Sequence, residues 1–441
     1  MPGPSAPKEE AGLIRAIGVP GLAANIVNST IGAGIFALPA AVALQLGAAS
    51  PLAYIICALA MCLFVTSFAM AGSRVSLTGG LYAYVEVAFG RYVGFLAGVL
   101  YFLTAILAIS GIVQLIATSV AGLIPLLATQ IGRLVVILFV LLFLAVINIR
   151  GVRTGARAVE AVTLIKLAPL LIFIVAGMFF LRPEALAWPG WPSSGPLGRS
   201  VLQLIFAFVG VEVALVPSGE IKSPARTVPR AIFAALGITT VLYIMIQLVA
   251  SGVLGNELGK YGEAALAEAA TRFLGNAGRV LMLAGLAVSA FGFATSDILS
   301  SPRIVFAFGR DGILPKWFAH VHRRFRTPDV AIATYATVAF ALSFWSTFQE
   351  LAVLSNMAVL LLYILCCLAA LELNRRDLRS DGTPFQFPGA TLIPILAIAV
   401  IIWILAHATR KEFAFTAACL VGASLLFLIR QFFRAKSDSA A

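Results

Sequence analysis

Stretches of about twenty apolar residues follow one another along almost all of this 441-residue chain, and no other feature limits its fold as strongly. A helix of that length covers the roughly 30 Å hydrocarbon core of a bilayer. Twelve such stretches are legible, near residues 16–47, 51–73, 88–120, 131–149, 157–181, 200–220, 229–254, 278–308, 329–347, 350–373, 388–408 and 413–434. Inside a bilayer every backbone N–H and C=O must find a partner within the protein, so only helices and closed barrels cross it. Barrel strands would be about ten residues long with alternating polarity. These stretches are longer, rich in Leu, Ala, Val and Ile, and do not alternate. The expected fold class is an all-α membrane protein with twelve transmembrane helices. Only 11% of the residues are charged, against roughly a quarter in a soluble domain.

The formal charge of +12 is a topology signal rather than a nucleic-acid footprint. With the N-terminus placed inside, the Lys and Arg clusters fall on inner segments: Arg150, Arg153 and Arg157; Lys222, Arg226 and Arg230; Arg323, Arg324 and Arg326; Arg375, Arg376 and Arg379; Arg430, Arg434 and Lys436. Outer segments hold fewer, among them Arg133, Arg182, Lys260, Arg410 and Lys411. The positive-inside rule then puts both termini in the cytoplasm and the chain in the inner membrane. No cleavable signal peptide is expected, because Met1–Glu10 is polar and the first span lacks a cleavage site. Cys57, Cys62, Cys366, Cys367 and Cys419 all lie in apolar runs without metal-ligand spacing and read as small hydrophobes. Two connections have content: Leu254 to Arg279, expected to lay an outer helix over the bundle, and the basic stretch Gly309 to Pro328, expected inside. The chain reads as one domain, 16–434, between cytoplasmic tails 1–15 and 435–441.

Two spans interrupt their own helix pattern. The first carries Asn28-Ser29-Thr30-Ile31-Gly32-Ala33-Gly34-Ile35-Phe36 at mid-membrane, and the sixth Phe206-Ala207-Phe208-Val209-Gly210-Val211-Glu212, with Pro217 and Gly219 following. Glycine costs a helix about 1 kcal/mol relative to alanine. Interruptions in corresponding spans of two halves point to a transporter binding site at the midplane, and close packing of small residues is the competing explanation. Unwound backbone in hydrocarbon needs polar company. Amides opening the second half of span one sit at a positive dipole end and suit a carboxylate. Carbonyls closing the first halves suit an ammonium, so a zwitterion matches both.

These residues resemble the amino acid-polyamine-organocation permeases. Gly32-Ala33-Gly34-Ile35-Phe36 is similar to the family's first-span motif. Gly79-Gly80-Leu81-Tyr82-Ala83-Tyr84, with Ala88-Phe89-Gly90 and Gly94-Phe95, resembles the entry to its third span. The run from Phe208 to Glu212 and on through Glu220 to Arg230 resembles its sixth span and following loop, and Gly309-Arg310-Asp311-Gly312-Ile313-Leu314-Pro315 the loop after its eighth. The resemblance implies the five-plus-five inverted repeat of the leucine-transporter fold, with repeats near 16–182 and 197–374 and two further helices near 388–434. It also implies that Gly32, Ala33 and Gly34 offer N–H groups to a substrate carboxylate, while the carbonyls of Thr30, Phe206 and Val209, beside Gly210, take the ammonium. Phe206 matches a gating aromatic and Glu212 a carboxylate linked to proton-dependent gating. Ala33 stands where some members have serine, so only the backbone donor remains there.

An ionisable group inside a span is expected to be functional. Lys166 in span five either snorkels to the cytoplasm or, as the resemblance implies, places its ammonium where some members bind a structural sodium ion, between the first and eighth spans; Gly292, Thr295 and Ser296 fall at the matching eighth-span positions. That implies a sodium-independent carrier with a protonation cycle. Glu212 has a helix-capping or Arg-paired alternative, and Asp297 is expected to form a structural ion pair with Arg303. Asn28, Tyr101, Phe208 and Ser289 are specificity candidates, each equally readable as packing. No second acidic group beyond Glu212 presents itself for a substrate cation, which favours a neutral or small apolar amino acid over a diamine. His320, His322 and His407 have no ligand spacing, and neither a nucleophile motif nor a phosphate loop occurs. An enzyme, a metal site and a cofactor are therefore not expected, and repeated filter motifs of a channel are absent. The expected function is proton-coupled secondary transport of an amino acid, with obligate exchange against organic cations or polyamines as the alternative.

Overall fold

The computed structural model describes residues 18–75, 81–151, 156–188, 190–211, 224–378, 389 and 391–438. Among them there is no strand. The helices are α1 (Val19–Thr30), α2 (Gly34–Leu46), α3 (Ser50–Gly72), α4 (Leu81–Phe89), α5 (Arg91–Leu123), α6 (Gln130–Ile149), α7 (Ala156–Gly177) and α8 (Ser194–Phe208). They continue with α9 (Pro224–Leu254), α10 (Ala265–Ser300), α11 (Pro302–Arg310), α12 (Asp329–Trp345), α13 (Phe348–Arg375), α14 (Leu392–Leu405) and α15 (Arg410–Asp438). Within the described residues, each apolar stretch of the sequence falls on one or two of these helices.

Among the described residues, six helical stretches are long and apolar enough to cross a membrane: Gly34–Gly72, Arg91–Leu123, Gln130–Ile149, Arg226–Arg310, Phe348–Arg375 and Arg410–Phe432. Gly34–Gly72 and Arg226–Arg310 each hold more than one helix, and Lys166–Phe180, Asp329–Trp345 and Leu392–Leu405 are shorter apolar helices. The chain is a multi-pass membrane protein. Its helix ends follow local chemistry. Thr347 begins α13 with a capping box, its side chain accepting from the Glu350 amide while Glu350 accepts from the Thr347 amide. Thr129 caps α6 by accepting from the Gly132 amide, and Gly90, at φ +84°, turns the chain between α4 and α5.

Small residues let the long helices meet. A Cβ on Gly285 of α10 would lie 2.8 Å from the Pro169 ring of α7, and one on Gly122 of α5 would lie 2.8 Å from Leu283 of α10. Packing of this kind drives helix association where lipid gives no hydrophobic advantage. The connection from Leu254 to Arg279 begins with the 3₁₀ stretch Gly255–Ala264. It lies on the C-terminal end of α2, where a Cβ on Gly259 would come within 3.1 Å of the Leu44 backbone. The helix expected in this connection is the first part of α10, which bends at Gly275 (φ +61°) before its apolar length. Glu263 fastens the stretch to α5 by accepting from the Thr118 hydroxyl at 3.1 Å.

Candidate functional site

The first apolar stretch is two helices rather than one. α1 has 12 residues, about 18 Å of helix and too little to cross a bilayer alone. It stops at Thr30, and α2 starts at Gly34. α8 stops at Phe208, and Val209 leaves in an extended conformation (φ −62°, ψ 141°). The two ends meet. Gly210, at φ +115°, lies so close to α1 that a Cβ there would sit 2.7 Å from the Ser29 carbonyl oxygen. On the other side of the break, a Cβ on Gly34 would sit 3.1 Å from the Phe206 ring and 3.5 Å from the Ala207 Cα.

A helix end leaves its last carbonyls without intrahelical donors, and in an apolar bundle they need others. α1 finds donors for Val27, Asn28 and Thr30. The Val27 carbonyl accepts from the Ile31 amide at 2.9 Å. The Asn28 carbonyl accepts from the ammonium of Lys166. The Ser29 carbonyl faces Gly210. The Thr30 carbonyl accepts from the Gly32 amide at 2.9 Å and stands 3.0 Å from the Tyr243 hydroxyl. At the end of α8, the Val209 amide donates to the Ile205 carbonyl at 3.0 Å, and the Ala207 carbonyl lies 2.8 Å from the same Tyr243 hydroxyl. Further back, the Asn356 amide of α13 donates to the Leu202 carbonyl at 2.7 Å.

These bonds refine the sequence expectations. Gly32 spends its N–H inside the break, so the expected set of three free amides narrows to Ala33 and Gly34, where α2 begins and helix geometry supplies no acceptor. Thr30 offers a carbonyl that is already engaged. Lys166 is 7% exposed and reaches the broken end of α1 rather than the cytoplasm. Thr295 donates its hydroxyl to the Phe291 carbonyl in its own helix, at 2.8 Å, and Ser296 is exposed; Gly292 is half-buried. Phe206 meets Phe348 edge-on, with ring centroids 5.5 Å apart. Glu212 lies outside the described residues, as do Pro217, Gly219, Gly79, Gly80 and Glu220 to Ser223.

Of the specificity candidates, Phe208 is buried against Tyr243 at 5.2 Å and packs. Tyr101 is 37% exposed. Asn28 contributes its carbonyl to Lys166. The hydroxyls of Ser289 and Thr30 are buried with no hydrogen-bond partner among the described residues. Among the same residues no group of three His, Cys, Asp or Glu side chains could hold a metal ion.

Sequence reasoning missed two residues. Tyr243 is one, and its only signal was that a buried tyrosine hydroxyl in an apolar helix has to find a partner. Tyr335 is the other. Asp297, expected to pair with Arg303, instead accepts from the Ser301 hydroxyl at 2.7 Å and from the Tyr335 hydroxyl at 2.6 Å, and no ion pair links it to Arg303. Intramembrane carboxylates persist where such partners exist. Tyr335→Phe removes one partner while keeping the ring, and is expected to cost about 1–3 kcal/mol of stability. The apparent melting temperature of the purified protein in detergent checks this, and an unchanged value would count against the bond.

A family model described as amino acid permease matches residues 17–425. The chain is similar to the serine/threonine exchanger SteT of Bacillus subtilis (strain 168), 30% identical over 403 residues that cover 89% of this chain and 90% of that protein. It is 28% identical to the branched-chain amino acid permease BcaP of Lactococcus lactis subsp. cremoris, with 84% of each chain covered. It is 26% identical to the arginine/agmatine antiporter of Chlamydia pneumoniae, covering 94% of this chain and 89% of that one.

Proposed function

The chain belongs to the amino acid permease family, and from that premise we propose that it is a secondary active transporter of amino acids. In this reading it is sodium-independent, proton-coupled and resident in the cytoplasmic membrane with both termini inside. Twelve spans, two inverted repeats (16–182 and 197–374) and two further helices make a single domain, 16–434, which alternates its access about spans one and six. The observation that carries the reading is the contact between the two helix breaks, Gly210 against Ser29.

The amides of Ala33 and Gly34 hold the substrate carboxylate at the positive end of α2. The carbonyls of Phe206 and Val209, with a share of Thr30, hold the ammonium. Phe206 covers the substrate, and Glu212 links its gating to a proton. Lys166 brings a positive charge to the end of α1, which supports independence from sodium, and its protonation cycle contributes to coupling. Relatives of similar likeness are named for serine and threonine, for branched-chain amino acids and for arginine. A neutral or small apolar amino acid is favoured, because the sequence presents no acidic group beyond Glu212 for a substrate cation.

Uptake into proteoliposomes tests the reading with radiolabelled L-serine, L-threonine, L-leucine, L-isoleucine, L-valine, L-arginine and agmatine. We expect saturable uptake of at least one neutral amino acid, stimulation by an inward proton gradient, and no change when sodium is replaced by choline. Uptake linear in concentration would contradict a carrier. The name of the SteT relative favours a second reading, obligate exchange. Stimulation by unlabelled amino acid inside the vesicle, with no response to a proton gradient, would select it.

A further inference from the structure

We infer that the loop from Lys316 to Arg326, between α11 and α12, is a docking surface for anionic phospholipid headgroups of the leaflet it faces. In the proposed topology, on which the inference rests, that is the cytoplasmic leaflet. Lys316, Arg323, Arg324 and Arg326 are all exposed. The nearby carboxylates are taken by other groups, Asp311 by Arg310 at 3.0 Å and Asp329 by His320 at 2.7 Å. Among the described residues no acidic side chain pairs with Arg323, Arg324 or Arg326. Arg324 lies over the Phe325 ring instead, 5.4 Å from its centroid. Trp317 and Val321 are exposed between these cations. Cations interleaved with an aromatic and an aliphatic side chain make a surface that sits at headgroup level.

The loop holds its charges in place. His322 Nδ1 accepts from the amides of Arg324 and Phe325, each at 3.2 Å. The His322 amide donates to the Thr327 carbonyl, and the Arg326 amide to the His322 carbonyl, both at 2.9 Å. Arg326 has a φ of +57°, a conformation that glycine adopts more easily, so the turn keeps a cation where the backbone would favour none. The Thr327 hydroxyl donates to the Ile149 carbonyl at 2.6 Å, which brings the end of α6 and its exposed Arg150 beside the loop. Phosphate is the anion that closely spaced, unpaired guanidinium groups fit. A basic inner segment need not be built this way. Arg375 and Arg376, at the end of α13, both donate to Glu372, at 2.8 and 2.7 Å, and so have their anion already.

The test places the full chain in lipid nanodiscs of dioleoylphosphatidylcholine, alone or with about 30% dioleoylphosphatidylglycerol. Unfolding is followed by labelling of the buried thiols of Cys57, Cys366 and Cys367. The anionic lipid is expected to raise the apparent melting temperature by about 4 °C, and about 0.5 M sodium chloride to remove most of that rise. Arg323→Gln with Arg324→Gln is expected to lose at least half of it, and the corresponding pair of lysine substitutions to keep most of it. Arg375→Gln with Arg376→Gln removes two charges that are already paired, and should keep the whole rise. The single substitutions Arg323→Gln and Arg324→Gln, each with a smaller loss, decide if the double variant cannot be recovered folded. No rise in wild type, a full rise in the Arg323 and Arg324 glutamine variants, or an equal loss in the Arg375 and Arg376 pair overturns the inference. An equal rise from about 10 mM inorganic phosphate in nanodiscs of phosphatidylcholine alone also overturns it, since the surface would then take a free anion. None of these readings uses transport. Their failure overturns this inference alone, whereas a protein that carries none of the seven compounds above overturns only the functional reading.

Discussion

Gly210→Ala is expected to reduce initial uptake about a hundredfold while leaving a folded protein. Two penalties coincide at this residue. Its φ of +115° lies where side-chain-bearing residues are strained, which costs on the order of 1–3 kcal/mol. The added Cβ would also lie 2.7 Å from the Ser29 carbonyl oxygen and 3.3 Å from the Thr30 amide nitrogen, and backbone cannot rotate away as a side chain can. Relief requires α8 or the end of α1 to shift, and that shift moves the carbonyls proposed to hold the ammonium. A combined cost of about 3 kcal/mol corresponds to roughly a hundredfold. Gly32→Ala is the internal comparison. A Cβ there meets nothing nearer than the Thr30 carbonyl oxygen at 3.9 Å, so uptake should fall less than about threefold. Equal losses at both positions would show that glycine content, not the contact between the breaks, matters.

Lys166→Ala is expected to reduce uptake by a factor of about ten to a hundred and to change its dependence on pH. The lysine ammonium donates to the Asn28 carbonyl, one of the last carbonyls of α1. Its removal leaves that oxygen buried without a donor, at about 1–3 kcal/mol, and deletes the positive charge proposed to replace a cation. Lys166→Arg keeps a charge but not the compact shape of an ammonium, and should retain partial uptake. Sodium added to the Ala variant should restore little, because the gap left by the side chain was not shaped as a coordination site. Uptake that stays proton-driven with an unchanged pH profile would remove Lys166 from the coupling mechanism.

What could be read from the sequence was what is local. A stretch such as Leu134 to Ile149 declares itself apolar without reference to any other residue, and Gly32 and Gly34 among Ser29, Thr30 and Ala33 mark a helix that has to stop. Partners are a different matter. Asn28 and Lys166 are 138 residues apart and Thr30 and Tyr243 are 213 apart, and neither periodicity nor hydropathy registers such pairs. The family resemblance supplied a role for Lys166 that its own neighbours in sequence did not. It supplied nothing for Tyr243, which looks like any aromatic in an apolar helix until the carbonyls of two other helices are found against its hydroxyl. Asp297 shows the opposite error. Arg303 is near in sequence and opposite in charge, yet the carboxylate takes hydroxyl donors from Ser301 and from Tyr335, 38 residues on.

Two helices end against each other, and the proposed site presents their amides to a carboxylate and their carbonyls to an ammonium. Competition against uptake of the best-carried amino acid measures this directly, using that amino acid, its decarboxylated amine and its deaminated acid as unlabelled competitors. Each single-charge analogue is expected to compete at least about a hundredfold more weakly than the zwitterion. An amine or an acid that competes as well as the amino acid would contradict it.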